Sequence, residues 1–95
     1  MYRVEWSEGP IAQMASAWLE ADSALRDAIT DAASQIDRSL QADPFSQGES
    51  RPDGRRILLV APLGVVFRIN PGERAVVVLR AWVFRQGRRN GEGGK

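Results

Sequence analysis

The hydrophobic positions of the chain follow two spacings, and each predicts a different element. Residues 2–6 alternate hydrophobic and charged side chains, a period of two that indicates a short strand with one buried face. Between residues 11 and 40, apolar residues recur at steps of three and four, which predicts two amphipathic helices with a break near residues 20–23. Trp18 belongs to this stripe and is expected in the core. Asp43-Pro44 ends the second helix, because the residue before proline avoids helical dihedrals.

The second half of the chain predicts strands. Residues 43–54 are punctuated by proline and glycine and form a loop, with Phe45 expected to fold back onto the core. Three apolar runs follow at residues 57–61, 65–69 and 75–84, separated by turn signals. The element order is therefore β-α-α-β-β-β. This order predicts an α+β fold with two N-terminal helices packed on one face of a mainly antiparallel four-stranded sheet.

Strand alternation also predicts which side chains lie on the sheet surface away from the helices. Burying an unpaired guanidinium costs several kcal/mol, so each arginine should mark the uncovered face. Phe67 falls in the opposite set and is expected in the core. The predicted uncovered surface is both apolar and basic, a combination typical of a binding site; homodimer packing or cover by the C-terminal residues is the alternative. It comprises Arg3, Glu5, Arg56, Leu58, Val60, Val66, Arg68, Arg74, Val76, Val78, Arg80, Trp82 and Phe84.

Charge is divided sharply between the two halves of the 95-residue chain. Residues 1–50 carry three arginines against nine acidic residues, whereas residues 51–95 carry ten basic residues against three acidic ones. Such asymmetry indicates one face that meets an anionic partner, either nucleic acid or an acidic protein segment. The alternative interpretation is an arginine-rich composition combined with an acidic, solvated helix.

The composition excludes several kinds of site. The chain has no cysteine, which excludes disulfides, thiol nucleophiles and thiolate metal sites, and no histidine, which removes the commonest general base and metal ligand. We therefore expect no metal and no cofactor. No apolar run approaches the ~20 residues of a membrane span and no signal-peptide core is present, so a cytoplasmic protein without a membrane partner is expected.

We expect a single domain over residues 1–85 and a disordered basic tail over residues 86–95. The tail contains four glycines and no hydrophobic residue, so it cannot compensate the entropy of ordering. Arg88 and Arg89 in the tail either contact phosphates or serve solubility alone.

Three segments of the first half of the chain resemble one family. The strand Tyr2-Arg3-Val4-Glu5-Trp6-Ser7, the helix end at Ala33–Leu40 with Asp43-Pro44, and Gly48-Glu49-Ser50-Arg51 are similar to the RelE/ParE superfamily of type II toxins. The sequences of residues 56–70 and 74–82 are also similar to this family, so the resemblance extends to the last predicted strands.

The resemblance implies a small bacterial toxin that a cognate antitoxin holds inactive by wrapping it and covering its basic surface. RelE members cleave messenger RNA at the ribosome, whereas ParE members poison DNA gyrase. The implied partners are therefore an antitoxin and either the ribosome with its messenger RNA or DNA gyrase.

Site residues carried over from the resemblance are mostly arginines. Arg55, Arg56 and Arg85 match basic positions of the ribonuclease members and are the candidate catalytic residues. The resemblance implies a catalytic arginine on the third strand of the ribonuclease members, and the matching position of this sequence lies near Gly64. The sequence also has no histidine, and no tyrosine after Tyr2. The expected partner-binding or nucleic-acid-binding residues are Arg56, Arg68, Arg74, Arg80, Trp82, Phe84, Arg88 and Arg89.

Three functions remain open at this point. The first is a toxin that acts on translation or on gyrase. The second is a non-catalytic RelE/ParE-like binding module that has lost ribonuclease activity. The third is a nucleic-acid-binding domain that uses the basic sheet and tail, whose affinity would fall steeply with salt.

Overall fold

The computed structural model describes residues 1–84 and contains five strands and two helices. Short 3-10 turns at Pro44–Ser46 and Pro71–Glu73 connect some of them. The predicted tail at residues 86–95 lies outside the described residues. The elements in chain order are β1 (Arg3–Trp6), α1 (Glu8–Glu20), α2 (Ser23–Ala42), β2 (Glu49–Ser50), β3 (Arg55–Val60), β4 (Leu63–Asn70) and β5 (Ala75–Val83).

The strands form one sheet in the order β1-β5-β4-β3-β2. β1 runs parallel to β5, and the other neighbouring pairs are antiparallel. The α+β fold and the mainly antiparallel sheet are confirmed, but the expected number of four strands is wrong. The additional strand is β2, whose Glu49 and Ser50 pair with Ile57 and Arg56 inside the segment that was expected to be a loop. Two polar residues on a sheet edge give no hydrophobic signal.

One helix, α2, supplies all the helical side chains of the buried core cluster. Ile29, Ala32, Ile36 and Leu40 recur at steps of three and four on α2, and each is at most 3% exposed. They pack against the sheet side chains Leu63, Val65, Phe67, Val76, Val78 and Ala81. The opposite face of α2 is exposed and polar, so this helix is amphipathic as its sequence predicts.

The two helices meet at a short break that side chains stabilise. Asp22 caps α2, its carboxylate accepting a hydrogen bond from the Leu25 amide at 2.8 Å. Arg26 donates to the carbonyls of Trp18 (2.8 Å) and Leu19 (3.0 Å), which belong to the last turn of α1, where a helix leaves carbonyls without their regular donors. Its guanidinium also lies 4.4 Å from the centre of the Trp18 ring.

Two hydrophobic residues expected in the core are exposed. Trp18 is 39% exposed, because α1 turns Pro10, Met14, Ala17 and Ala21 inward instead. No charged residue occurs between Gly9 and Leu19, so the sequence marks no polar face on α1. Phe45 is 53% exposed and contacts Tyr2 edge-on at a ring separation of 6.2 Å.

An irregularity in β5 determines which of its side chains face the helices. Val66 pairs with Arg80 but Phe67 pairs with Val78, so Leu79 is an extra residue, as in a β-bulge. Val76 and Val78 before the bulge and Ala81 after it consequently all reach the core. Beyond Trp6, none of the described strands pairs with this edge of β5. There the Gln13 side chain of α1 accepts a hydrogen bond from the Ala81 amide at 3.2 Å.

Within residues 1–84, neither helix combines the length and the apolar character needed to cross a membrane.

Candidate functional site

The sheet surface that faces away from the helices is ordered in rows set by strand pairing. Each row takes one residue from β3, one from β4 and one from β5, and these alternate along the strands with the core side chains. We call this surface, together with Arg3 and Glu5 of β1, the open face. Its rows are Leu59–Gly64–Trp82, Ile57–Val66–Arg80 and Arg55–Arg68–Val77.

The open face changes from apolar to cationic along the strands. At one end, Leu59 is 58% exposed and Trp82 is 37% exposed. About 13 Å further along β4, at ~3.3 Å per residue, Arg55 and Arg68 stand directly opposite each other on neighbouring strands. Arg80 lies in the row between these ends. A partner segment that follows the strands therefore meets hydrophobic surface first and positive charge second.

Two guanidinium groups of the open face are available to an anion. Arg55 is paired with Asp53, whose Oδ2 lies 3.6 Å from its Nε. Among the residues that the structure describes, neither Arg68 nor Arg80 has a carboxylate oxygen within 4.0 Å. Like charges facing each other across strands are destabilising. An acidic partner near Arg55 and Arg68 would relieve that repulsion.

A pocket of about 420 Å³ opens beside the middle row. Ile57 and Val66 line its apolar part, while Arg55 and Arg80 contribute the charged part. Arg51, Pro52 and Asp53 complete it from the turn that precedes β3. Its chemistry suits a hydrophobic group that carries or neighbours an anionic one.

Gly64 and Trp82 occupy the apolar end as a pair. The indole of Trp82 lies across the backbone of Gly64, where a Cβ would clash with the ring. No side chain can therefore project from position 64 while the indole stays in place. The position to which the resemblance assigns a catalytic arginine is filled by an aromatic ring.

Four of the site residues expected from sequence share the open face: Arg55, Arg68, Arg80 and Trp82. Arg3 and Glu5 also lie there, joined by an ion pair of 2.6 Å. Phe84 directly follows β5, is half-buried, and donates its amide to the Pro62 carbonyl at 2.8 Å. Arg85, Arg88 and Arg89 lie outside the described residues.

The predicted position of Arg56 on the open face is wrong. Alternation in β3 turns Arg56, Leu58 and Val60 toward the helix side. The Arg56 guanidinium donates to the carbonyls of Gln47 (3.0 Å), Phe45 (3.1 Å) and Gly48 (3.4 Å), and so anchors the segment after α2. These carbonyls satisfy the charge that was expected to require solvent.

Arg74 and two valines of β5 were also misplaced by the sequence pattern. Arg74 precedes β5 in the left-handed conformation, with φ of 51°, and its guanidinium lies 5.4 Å from the ring centre of Tyr2, on the helix side. Val76 and Val78 are fully buried, because the bulge at Leu79 reverses the alternation.

Sequence reasoning missed the residues that give the site its pocket. Ile57 and Leu59 were assigned to the helix side because they alternate with Arg56, which was expected to mark the uncovered face, and Arg51 and Asp53 were treated as loop residues. The sequence signal that could have found them is the pair Arg55-Arg56. Successive side chains of a strand point to opposite faces, so these two arginines cannot both mark the uncovered face.

The chemistry of the open face is that of charge stabilisation and binding. The guanidinium groups of Arg55, Arg68 and Arg80 can hold an anion but are poor proton donors. The sole tyrosine, Tyr2, packs on the helix side. Within residues 1–84, no group of three or more acidic side chains is placed to hold a metal ion.

The sequence matches no protein-family model and no curated protein. The fold is similar to several solved structures. Over 90% of this chain and 98% of the matched chain, a chromosomal ParDE TA system from P. aeruginosa superposes with a TM-score of 0.70 at 19% identity. The RelBE2 toxin–antitoxin complex from Mycobacterium tuberculosis gives 0.65 at 14% identity, covering 86% and 90%. The isolated RelE toxin of E. coli gives 0.56 at 11% identity, covering 92% and 88%. The RelE/ParE toxin fold that the sequence resemblance implied is confirmed.

Proposed function

We propose that this chain is the toxin component of a type II toxin–antitoxin pair and that a cognate antitoxin neutralises it by covering the open face. The observation that carries this proposal lies within residues 1–84: Arg68 and Arg80, without a carboxylate partner there, share with exposed Trp82 a sheet surface that neither helix covers. The similarity to folds described in ParDE and RelBE toxin–antitoxin structures supports it.

The open face indicates what the antitoxin segment should contain. Aromatic and arginine side chains are the usual anchors of protein interfaces. A complementary segment carries a hydrophobic residue for the surface around Leu59 and Trp82, and acidic residues for Arg68 and Arg80. The pocket beside Ile57 and Val66 gives such a segment a further anchoring point.

For the cellular target, we propose inhibition by non-covalent binding, of the kind implied by the ParE branch, with DNA gyrase as the target. Cleavage of messenger RNA requires a group that moves protons. The chain has no histidine, Tyr2 lies on the helix side, and the Trp82 indole occupies the space above Gly64. Within residues 1–84, the open face supplies charge without an evident acid or base other than the carboxylates of Glu5 and Asp53.

The same features favour one second candidate, a binding module that retains the scaffold and inhibits nothing. It shares the open face and the partner chemistry with the first proposal. The two differ only in whether the free protein stops growth.

The test is induced expression in a bacterium that lacks the neighbouring gene. We expect growth arrest from the wild-type chain, and none from Arg68→Glu/Arg80→Glu, whose substitutions reverse two exposed charges of the open face. Arg38→Glu is the matched control because it reverses an exposed charge on α2, and it should arrest growth. Circular dichroism and thermal unfolding should show that all three proteins are folded.

Two assays on purified protein then identify the target. Inhibition of gyrase supercoiling without cleavage of ribosome-bound messenger RNA supports the proposed target. Cleavage of messenger RNA would overturn that part while retaining the toxin assignment. Normal growth in the presence of soluble, folded wild-type protein would refute the toxin and leave the binding module.

A further inference from the structure

The pocket beside the middle row of the open face has the dimensions of a small-molecule site. Its volume of about 420 Å³ lies within the ~300–1,000 Å³ typical of such sites. The row Ile57–Val66–Arg80 lines it, and each of these residues pairs with the next on the neighbouring strand. Because neighbouring strands lie ~4.8 Å apart, two apolar side chains lead directly to a guanidinium.

The wall of the pocket on the β3 side is a turn that its own hydrogen bonds hold in shape. The Arg51 amide donates to the Arg55 carbonyl at 2.7 Å, and the Gly54 amide donates to the Arg51 carbonyl at 3.1 Å. The Asp53 carboxylate accepts a hydrogen bond from the Arg55 amide at 3.2 Å. Gly54 supplies the φ of 82° that the turn requires. The wall is therefore formed in the chain without a partner.

The charges that line the pocket leave one cation without a counter-charge. Arg51 is paired with Glu49 at 3.3 Å, and Arg55 is paired with Asp53 at 3.6 Å. Within residues 1–84, no carboxylate oxygen lies within 4.0 Å of the third lining arginine, Arg80. A ligand with a single negative charge therefore balances the lining, whereas a phosphate dianion would bring one charge too many.

The position of Asp53 determines the direction in which such a ligand lies. Asp53 stands beside Arg55 on the β3 side, where it repels a second carboxylate. Arg80 belongs to β5, two strand spacings or about 10 Å away. The anionic end of the ligand is therefore directed to Arg80, while its apolar body covers the half-buried side chains of Ile57 and Val66.

We propose that this pocket binds a small monocarboxylic acid with a short apolar body, such as an aryl- or alkyl-substituted acetic acid. The carboxylate pairs with the Arg80 guanidinium, and the apolar body lies on Ile57 and Val66. The binding site does not depend on the toxin assignment. One consequence does rest on the proposed function: because the pocket belongs to the open face, the acid and an antitoxin segment would compete for it.

Phenylacetate is the probe, because it joins an apolar ring to one carboxylate over the span of the row. Titration into the full-length chain, followed through backbone amide chemical shifts, should give a Kd of about 1 mM. The shifts should be confined to residues 51–57 and the neighbourhoods of Val66 and Arg80. Phenylacetamide has the ring without the charge, and acetate has the charge without the ring. Each should bind about tenfold more weakly or worse.

Three substitutions test the assigned contacts. Arg80→Gln should weaken phenylacetate binding about tenfold or more and abolish the preference over phenylacetamide. Arg68→Gln is the matched control: Arg68 is also an exposed arginine of the open face but does not line the pocket, so the loss should be about twofold. Asp53→Asn should tighten binding, because it removes the repelling charge and keeps an oxygen that accepts the Arg55 amide.

Several results would overturn the proposal. They are no binding of phenylacetate up to about 10 mM, equal binding of phenylacetate and phenylacetamide, and chemical shifts that lie outside the pocket. Equal weakening by Arg68→Gln and Arg80→Gln would also overturn it, since it would show attraction to the whole open face. The titrations use the chain alone, so a failed growth assay does not affect them, and a failed titration leaves the proposed toxin untouched.

Discussion

Gly64 illustrates how one missing side chain shapes the candidate site. Its lack of a Cβ lets the Trp82 indole lie flat across β4, which makes the apolar end of the open face. The ring is partly exposed and can swing outward, so a side chain at position 64 displaces it rather than disrupting the core.

We predict that Gly64→Ala costs about 1 kcal/mol, at the lower end of the ~1–3 kcal/mol typical of overpacking. Trp82 fluorescence should shift to the red as the indole becomes solvated. In a Trp82→Ala background the clash is gone and alanine suits a strand better than glycine, so the cost should fall to about zero. Urea unfolding of the four proteins measures the coupling. Equal costs in both backgrounds would show that the two residues do not interact.

Phe67 and Trp18 separate core packing from surface packing. Phe67 is fully buried beneath α2, so Phe67→Ala should cost about 3–5 kcal/mol. Trp18 is 39% exposed and stacks against Arg26 outside the buried core, so Trp18→Ala should cost clearly less, about 1–2 kcal/mol. Urea unfolding measures both costs, from the shift in midpoint of variants whose transitions keep the same slope. Equal decreases in the free energy of unfolding for the two variants would contradict the assigned burial.

At the scale of elements, Arg56 links β3 to the segment that leaves α2. Its guanidinium donates hydrogen bonds to three backbone carbonyls, of which that of Gly48 directly precedes β2. Gly48 in this segment has φ of 68° and passes so close to Ile57 that a side chain would clash with the β3 backbone. The guanidinium therefore helps to place β2 on the sheet edge.

We predict that Arg56→Ala costs about 1–3 kcal/mol, as expected when three carbonyls, one of them in a part-buried hydrogen bond, lose a charged donor. It should also raise amide hydrogen exchange at residues 45–50. Arg68→Ala on the open face is the matched control and should change stability by less than about 0.5 kcal/mol. An unchanged exchange pattern in Arg56→Ala would show that the segment is held by other contacts.

The sequence predicted elements better than it predicted their faces. Helical and strand periods located α1, α2, β3, β4 and β5, because one hydrophobic side recurs at a fixed step. β4 was oriented correctly, since Arg68 interrupts its apolar run. β5 has no polar residue before Arg80, so nothing along the chain indicates the bulge at Leu79 that reverses its first half. The bulge becomes visible only in the pairing of β5 with β4.

At Arg56, the rule that arginines mark the solvent side failed for a different reason. The carbonyls that satisfy its guanidinium lie eight to eleven residues earlier in the chain and are brought near only by the fold. The candidate site was therefore predictable at Arg55, Arg68, Arg80 and Trp82, whose surroundings are set by their own strands. It was not predictable at Arg56, because backbone carbonyls that are distant in the sequence form the surroundings of its guanidinium.

For the whole molecule, the division of charge along the sequence becomes a division between layers. Asp27 and Asp31 project from the exposed side of α2, whereas Arg68 and Arg80 project from the open face. A negatively charged partner is attracted to the sheet side and repelled from the helix side. Electrostatics thus favours one direction of approach before any specific contact forms.

The parallel pairing of β1 with β5 joins the first and last strands of residues 1–84. During synthesis, residues 3–6 leave the ribosome long before residues 75–78 exist, so the sheet cannot be completed until β5 has emerged. The surface built by β3, β4 and β5 together is absent from every shorter nascent chain. A ribosome making this protein is consequently not exposed to the completed open face until residues 75–83 have emerged from it.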